Sequence, residues 1–328
     1  MKSSTPKQTP VTFVNRQGLT LFGVLEEPAG APSTDIAVLL LSPGVKMRVG
    51  PQGLYRRISR ELVALGLPVL RFDFYGLGDS EGALPEELLR DVYNHIEVGR
   101  FVDDTVDAMD WMQKTRGTKR FLLSGLCGGA ITALLAGERD SRVAGLFGIG
   151  LTAVLASRAA DASKYMTEGQ VKDWRGAYAR KLLNPKAWYR LLTLQSDNRL
   201  IGRIVGQAFR QYVLRQSAAP PPAAPPADDN ANPRFPSAFF RMLSSKRPML
   251  LVFGGSDRLQ WEFEEKFVAR HRERLASMPP FYQVHVVPDA NHVLSTDAWQ
   301  REMLDVTRTW LRRHFSRDVA REAVAASA

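Results

Sequence analysis

The segment from Phe121 to Leu135 constrains the fold of this chain more than any other. An apolar run, Phe121-Leu122-Leu123-Ser124, enters Gly125-Leu126-Cys127-Gly128-Gly129. A run of small and apolar residues, Ala130-Ile131-Thr132-Ala133-Leu134-Leu135, leaves it. Strand, tight turn and helix follow one another, with a nucleophilic side chain at the apex. The spacing is that of the G-x-S-x-G elbow, with cysteine where serine usually stands. The apex residue of such a turn holds a strained backbone conformation that surrounding packing maintains. Its neighbours two positions away must lack bulk, because strand and helix pass close together. The helix N-terminus beyond the apex stabilises a thiolate. It also aims the backbone N–H of Gly128 at a developing oxyanion.

Cys127 is the only cysteine in 328 residues. That excludes an intramolecular disulfide and a cysteine-based zinc site. A lone cysteine is usually a small buried hydrophobe. Between these glycines, directly after a strand, the nucleophile is the favoured reading. A reactive thiol survives best in a reducing compartment. The N-terminal MKSSTPKQTPVTF has no apolar signal core. No stretch approaches the roughly 18 to 20 apolar residues that span a bilayer. These features lead us to expect a cytoplasmic protein.

Apolar strands alternate with helical patterns along the rest of the chain. Residues 11–27 read as a hairpin turning at Arg16-Gln17-Gly18. Strands follow at Asp35 to Leu41 and Pro68 to Asp73, with a helix from Tyr55 to Leu65 between them. A helix from Arg100 to Thr115 precedes the elbow, and a strand from Val143 to Ile149 follows it. Strands at Pro248 to Phe253 and Phe281 to Val287, and helices at Phe263 to Leu275 and Trp299 to His314, complete the pattern. Such alternation indicates an α/β fold whose mostly parallel sheet is covered by helices on both faces. The expected division is a flexible N-terminus (1–10), a core in two parts (11–151 and 248–315), an insertion between them (152–247) and a C-terminal tail (316–328). The insertion reads as a helical lid, and a Pro/Ala-rich linker lies within it at 217–236.

The net charge of +10 is concentrated in this insertion. Between Arg158 and Arg215, twelve basic residues face only Asp161, Glu168, Asp173 and Asp197. A basic field of that kind attracts anionic substrates, a membrane surface or nucleic acid, and it equally describes a solvated helical face. We expect no nucleic acid as a partner, because charges and aromatics form no recognised module. Peripheral membrane contact through the basic lid stays open, as does the oligomeric state. Trp174, Tyr178 and Trp188 are the candidate substrate-binding residues of the lid. Most of its aromatics are expected to form its own small core.

A thiol nucleophile needs a base, and the base needs an orienting group. The fold places these in the order nucleophile, acid, histidine. Leu250-Leu251-Val252-Phe253 runs into Gly254-Gly255-Ser256-Asp257, which offers Asp257 as the acid. Val284-His285-Val286-Val287 runs into Pro288-Asp289-Ala290-Asn291-His292, which offers His292 as the base. His285 lies within a strand. His271 and His314 lie in helices beside arginines, and His95 lies in a loop before a helix. No metal-ligand pattern such as H-E-x-x-H is present, and no cofactor is implied. The second oxyanion donor belongs to the loop after an early strand. Ser42-Pro43-Gly44-Val45-Lys46 is that loop, with the Val45 N–H as the donor and Gly44 allowing close approach. A second match to G-x-S-x-G, Gly78-Asp79-Ser80-Glu81-Gly82, lacks both the entering strand and the leaving helix. Its serine is flanked by two carboxylates that oppose an alkoxide.

The assembled pattern resembles the α/β-hydrolase superfamily over nearly the whole chain outside the termini and the linker. Asp73-Phe74-Tyr75-Gly76-Leu77-Gly78-Asp79-Ser80 is similar to the loop motif D-x-x-G-x-G-x-S of many members. Within the superfamily the chain most resembles the hydrolases associated with the exosortase A system, found beside bacterial exopolysaccharide genes. Leu70-Arg71-Phe72-Asp73, Gly125-Leu126-Cys127, Arg142-Val143-Ala144-Gly145-Leu146 and the lid phrase from Lys181 to Trp188 carry that resemblance. It implies a cytoplasmic, hydrolase-like enzyme. The cysteine departs from most of the superfamily, although cysteine elbows also occur in dienelactone hydrolases and polyhydroxyalkanoate synthases. Three readings follow. The first is hydrolysis of an ester or thioester through an acyl-cysteine, with sulfur favouring thioesters or activated esters. The second is transfer of an acyl group from a CoA or carrier thioester to an alcohol of a polysaccharide or lipid. The third is a non-catalytic binding protein on a hydrolase fold.

Overall fold

The computed structural model describes residues 6–29, 34–156 and 230–319. The insertion from 157 to 229, with Trp174, Tyr178, Trp188 and the Lys181–Trp188 phrase, lies outside them.

Eight strands form one sheet. They are β1 (Lys7–Val14), β2 (Thr20–Glu27), β3 (Ile36–Leu41), β4 (Val69–Phe72), β5 (Arg120–Leu126), β6 (Val143–Ile149), β7 (Met249–Gly254) and β8 (Tyr282–Val287). Their order across the sheet is β1-β2-β4-β3-β5-β6-β7-β8. The β1–β2 and β2–β4 pairs are antiparallel and every other pair is parallel.

The continuous apolar runs of the central strands follow from burial on both faces. Along β3, Ala37, Leu39 and Leu41 join one apolar cluster, while Ile36, Val38 and Leu40 join the other. Helices α1 (Leu54–Ala64) and α8 (Asp297–His314) close the second face with Tyr55, Ile58, Leu62, Met303, Trp310 and Leu311. The first face is covered by α2 (Leu89–Glu97), α3 (Val102–Arg116), α4 (Gly128–Arg139) and α5 (Phe235–Ser244). Two short helices, α6 (Arg258–Phe263) and α7 (Arg272–Ala276), connect β7 to β8.

The structure corrects the expected boundaries in several places. Residues 7–10 are no flexible N-terminus, because Lys7 to Pro10 pair with Val24 to Glu27. The tail begins later than residue 316: Val319 is buried, and Asp318 accepts hydrogen bonds from Thr34 and Arg120. The core resumes well before residue 248. Residues 230–319 fall in the same compact unit as the N-terminal part. Helix α5 was hidden behind the Pro/Ala composition, yet it buries Phe235, Phe239, Phe240, Met242 and Leu243. The ring centroids of Phe239 and Phe267 lie 4.7 Å apart, with the rings tilted at 58°. The helix expected from Phe263 to Leu275 is broken by a π-turn at Glu264–Val268, closed by Ala269 N–H donating to the Glu264 carbonyl at 2.8 Å. His95 lies in the last turn of α2 rather than in a loop, and His271 in a turn against Phe240 and Phe267.

Parallel pairing sets the C-terminal ends of β3, β5, β6, β7 and β8 along one edge of the sheet. The loops that leave those ends therefore converge, and ligands of open α/β sheets bind there.

Candidate active site

Cys127 ends β5 and caps α4 with φ 54° and ψ −112°. A side chain at positive φ is strained, and neighbouring bonds hold it. Its N–H donates to the Ile149 carbonyl at 2.9 Å. Its carbonyl accepts from the N–H groups of Ala130 and Ile131 at 2.9 and 3.1 Å. The flanking glycines are obligatory because backbone meets backbone. A Cβ on Gly125 would stand 2.4 Å from the Gly129 carbonyl carbon, and one on Gly129 would stand 2.3 Å from the Leu41 oxygen. Tyr55 braces the turn from the other side of the sheet. Its buried hydroxyl donates to the Leu41 carbonyl at 2.8 Å and accepts from Leu126 N–H at 2.7 Å. Cys127 itself is half-buried and packs against both apolar clusters.

Asp257 follows β7 and is buried. One carboxylate oxygen caps α6 by accepting from Leu259 N–H at 3.1 Å. The other lies 2.7 Å from His292 Nδ1. The helix cap thus fixes the carboxylate, and the carboxylate fixes the ring, placing the Nδ1 proton on the Asp257 side. The same imidazole stands close enough to Cys127 for the sulfur to act on its pKa. Burial lowers its pKa, but the hydrogen bonds to Asp257 and Cys127 and the charges of both groups outweigh burial and push it up to about 10. Gly150, at the end of β6, gives this ring its space: a Cβ there would lie 3.2 Å from His292 Cε1.

The loop after β3 reaches the elbow. The Gly44 Cα stands 2.7 Å from where a Cβ on Gly128 would be. Pro43 and Lys46 close a turn around Gly44 and Val45 through a 3.0 Å backbone bond. Gly128 is the first residue of α4, so its N–H has no partner within the helix. The structure thus gathers Cys127, His292, Asp257, Gly128, Gly44 and Val45 at one edge of the sheet.

Ser80 is elsewhere in function. Its hydroxyl donates to the Asp73 carbonyl at 2.7 Å and accepts from Phe22 N–H at 2.9 Å. Asp79 pairs with Arg48 at 2.6 Å, and Glu81 accepts from Thr20 N–H at 2.6 Å. The loop ties β2 to the end of β4. The other histidines lie apart from the elbow: His285 Nε2 faces Glu302 at 2.8 Å, and His95 contacts Glu86 and Arg100. Among the described residues, no cluster of three or more His, Cys, Asp or Glu side chains is arranged to hold a metal. Among the same residues, no helix is long and apolar enough to cross a membrane.

The sheet order, the crossing helices and the strand-turn-helix around Cys127 define an α/β hydrolase. The chain belongs to the alpha/beta hydrolase family, whose model matches residues 39–306. Over 154 residues it is 34% identical to the monoglyceride lipase of Homo sapiens, covering 44% of this chain and 46% of that protein. The Mus musculus monoglyceride lipase is 30% identical over 154 residues, with the same coverage. The chain therefore spans about half the length of the curated relatives it matches. An esterase of Pyrococcus furiosus superposes with a TM-score of 0.57 at 17% identity, covering 94% of this chain and 92% of that one. A dienelactone hydrolase of Anabaena variabilis superposes with a TM-score of 0.54 at 16% identity, covering 94% and 98%. These two share the fold.

Proposed function

We propose that this protein hydrolyses an ester or thioester through a covalent acyl-Cys127 intermediate. The observation that carries the reading is the linked line of groups: carboxylate, imidazole 2.7 Å away, and the thiol of a strained elbow beyond it. An imidazole whose pKa lies near 10 holds a proton at neutral pH. The charged ring stands beside Cys127, where it can stabilise the negative charge that sulfur carries when it attacks.

Sγ attacks the substrate carbonyl carbon, and the π electrons move to oxygen. The oxyanion is met by Gly128 N–H and, from the Pro43-Gly44-Val45 turn, by Val45 N–H. On collapse the carbon–oxygen or carbon–sulfur bond of the leaving group breaks, and His292 gives its proton to the departing atom. Water then attacks the thioester carbonyl while His292 takes a proton from it. The acid product leaves, Sγ departs with the electron pair of the broken carbon–sulfur bond, and His292 keeps the proton taken from water. Asp257 keeps the ring in register throughout. Sulfur leaves a tetrahedral intermediate more readily than an alkoxide does. Oxygen esters therefore depend on prompt protonation by His292, whereas thioesters do not. That difference supports thioesters or activated esters as the better substrates.

The resemblance to human monoglyceride lipase adds a monoacylglycerol to the panel worth testing. The elbow and lid residues quoted above support placing the chain with the exosortase A system-associated hydrolases, and hence with exopolysaccharide formation in a bacterial cytoplasm. The decisive experiment is intact-mass detection of an acyl adduct after mixing with a panel of acyl-CoA, aryl ester and monoacylglycerol substrates. An adduct absent from Cys127→Ala supports the reading. Equal turnover by wild type and Cys127→Ala would sink it.

A further inference from the structure

We propose that the Tyr93 hydroxyl is a third oxyanion donor, contributed by helix α2; the proposal rests on the acyl-Cys127 reading. Nothing in the elbow, the triad order or the loop after β3 points to this residue. It is the fold that brings it there.

Gly44 is the middle layer of a three-part contact. On one side it lies against Gly128, the first residue of α4, with its Cα 2.7 Å and its N 2.9 Å from the position of a Gly128 Cβ. On the other side lies the Tyr93 ring. Cε1 stands 2.8 Å, and the hydroxyl oxygen 3.4 Å, from where a Cβ on Gly44 would be. One turn further along α2, Ile96 Cγ2 comes within 3.1 Å of the same Gly128 position. Two contacts thus hold α2 over the elbow, and the phenol borders the turn that carries the Val45 N–H.

The hydroxyl is also unspent. Tyr93 is half-buried, and among the described residues its hydroxyl has no side-chain or backbone partner, whereas the fully buried Tyr55, behind the same elbow, has two. Burial raises the Tyr93 pKa, and the negative charges of Cys127 and Glu97 raise it further. The phenol therefore stays protonated, and the influence of Cys127 places it within the field of the sulfur. A neutral donor at that place can exchange water in the resting site for an oxyanion in the tetrahedral intermediate. No proton is transferred: the O–H bond stays intact while the oxygen of the intermediate accepts. Such a donor stabilises the transition state and leaves the ground state alone.

The test is Tyr93→Phe, which keeps the ring over Gly44 and removes only the oxygen. Removing one oxyanion donor lowers kcat by about 10²-fold; we expect that loss with KM changed by less than about twofold. Alkylation of Cys127 by iodoacetamide forms no oxyanion and should proceed at the wild-type rate. A trifluoromethyl ketone, which adds the thiolate to give a stable tetrahedral anion, should bind about 10²-fold more weakly. Wild-type kcat in Tyr93→Phe, with an active wild-type enzyme, overturns the Tyr93 proposal and leaves the acyl-cysteine reading standing. Equal losses in kcat and in alkylation also overturn it, since the hydroxyl would then act on the thiol. Wild-type protein that forms no acyl adduct with any ester or thioester overturns both.

Discussion

Two segments of this chain carry the same five-residue pattern and do opposite things. Gly125-Leu126-Cys127-Gly128-Gly129 presents its central side chain at positive φ between a strand and a helix start. Gly78-Asp79-Ser80-Glu81-Gly82 folds its serine back onto the backbone, where the hydroxyl both donates and accepts. Spacing of glycines is common to both. What separates them is where the backbone bonds go. At the elbow the sulfur is left over once the backbone is satisfied, and at the decoy the hydroxyl is part of the satisfaction. A nucleophile needs a side chain that the fold does not use.

The largest expected effect follows directly. Cys127→Ala should lower turnover by about 10⁴-fold or more, leaving what binding and oxyanion donors supply alone. Ser80→Ala should keep kcat within about twofold. Steady-state kinetics on one aryl thioester measures both, and reversal of the order would break the comparison. Asp257→Asn ranks next. It leaves a cap for α6 but removes the charge that orients and stabilises the imidazolium, and a loss of about 10³-fold in kcat is expected.

The same substitution sharpens the pH dependence. His292 has its pKa raised from 6.5 to about 10. A raised pKa means that folding favours the protonated ring. Its stabilisation is complete below about pH 6.5 and is lost as pH rises through about 10. The ring is partly exposed, so solvent screens the effect on stability, and activity is the better readout. Turnover of an oxygen ester should fall on the alkaline side as the leaving group loses its acid near pH 10. In Asp257→Asn that limb should move to lower pH. A limb that stays in place would show that Asp257 does not hold the proton.

The sequence was most readable where one physical demand dominates. Strands buried on both faces read as unbroken apolar runs, so β3, β5, β6 and β7 stand within a residue or two of expectation. Cys127 and Asp257 each follow such a strand, whereas His292 follows β8, an edge strand of mixed burial, and was placed by chain order. Tyr93 and Gly150 were not. Each matters through a contact between segments far apart in the chain, and one-dimensional spacing carries no trace of it. Helix α5 was obscured for another reason: its Phe-rich face stands directly after a Pro/Ala stretch that reads as linker, and composition averaged the two together. The His95 assignment failed because α2 has no side-chain cap to mark its start.

The smallest effects fall on stability, and they return to the two glycine patterns. Gly129→Ala would force a Cβ to 2.3 Å from the Leu41 oxygen, a backbone atom of a buried central strand that cannot yield. Overpacking of that kind costs about 3 kcal/mol. Ser80→Ala removes two hydrogen bonds in a half-buried loop, each contributing about 0.5–1.5 kcal/mol, so about 1 to 3 kcal/mol in all. Urea unfolding of the two variants therefore distinguishes the ways the patterns are used. At the elbow the glycines carry the structural demand and the central residue the chemistry. In the other loop the central residue carries the structure. Cys127→Ala should then cost less stability than either, because it removes one half-buried sulfur atom and leaves the Cβ and the strained backbone as they are. If Cys127→Ala proves the most destabilising of the three, the elbow sulfur is a packing atom after all, and the contrast between the two segments fails.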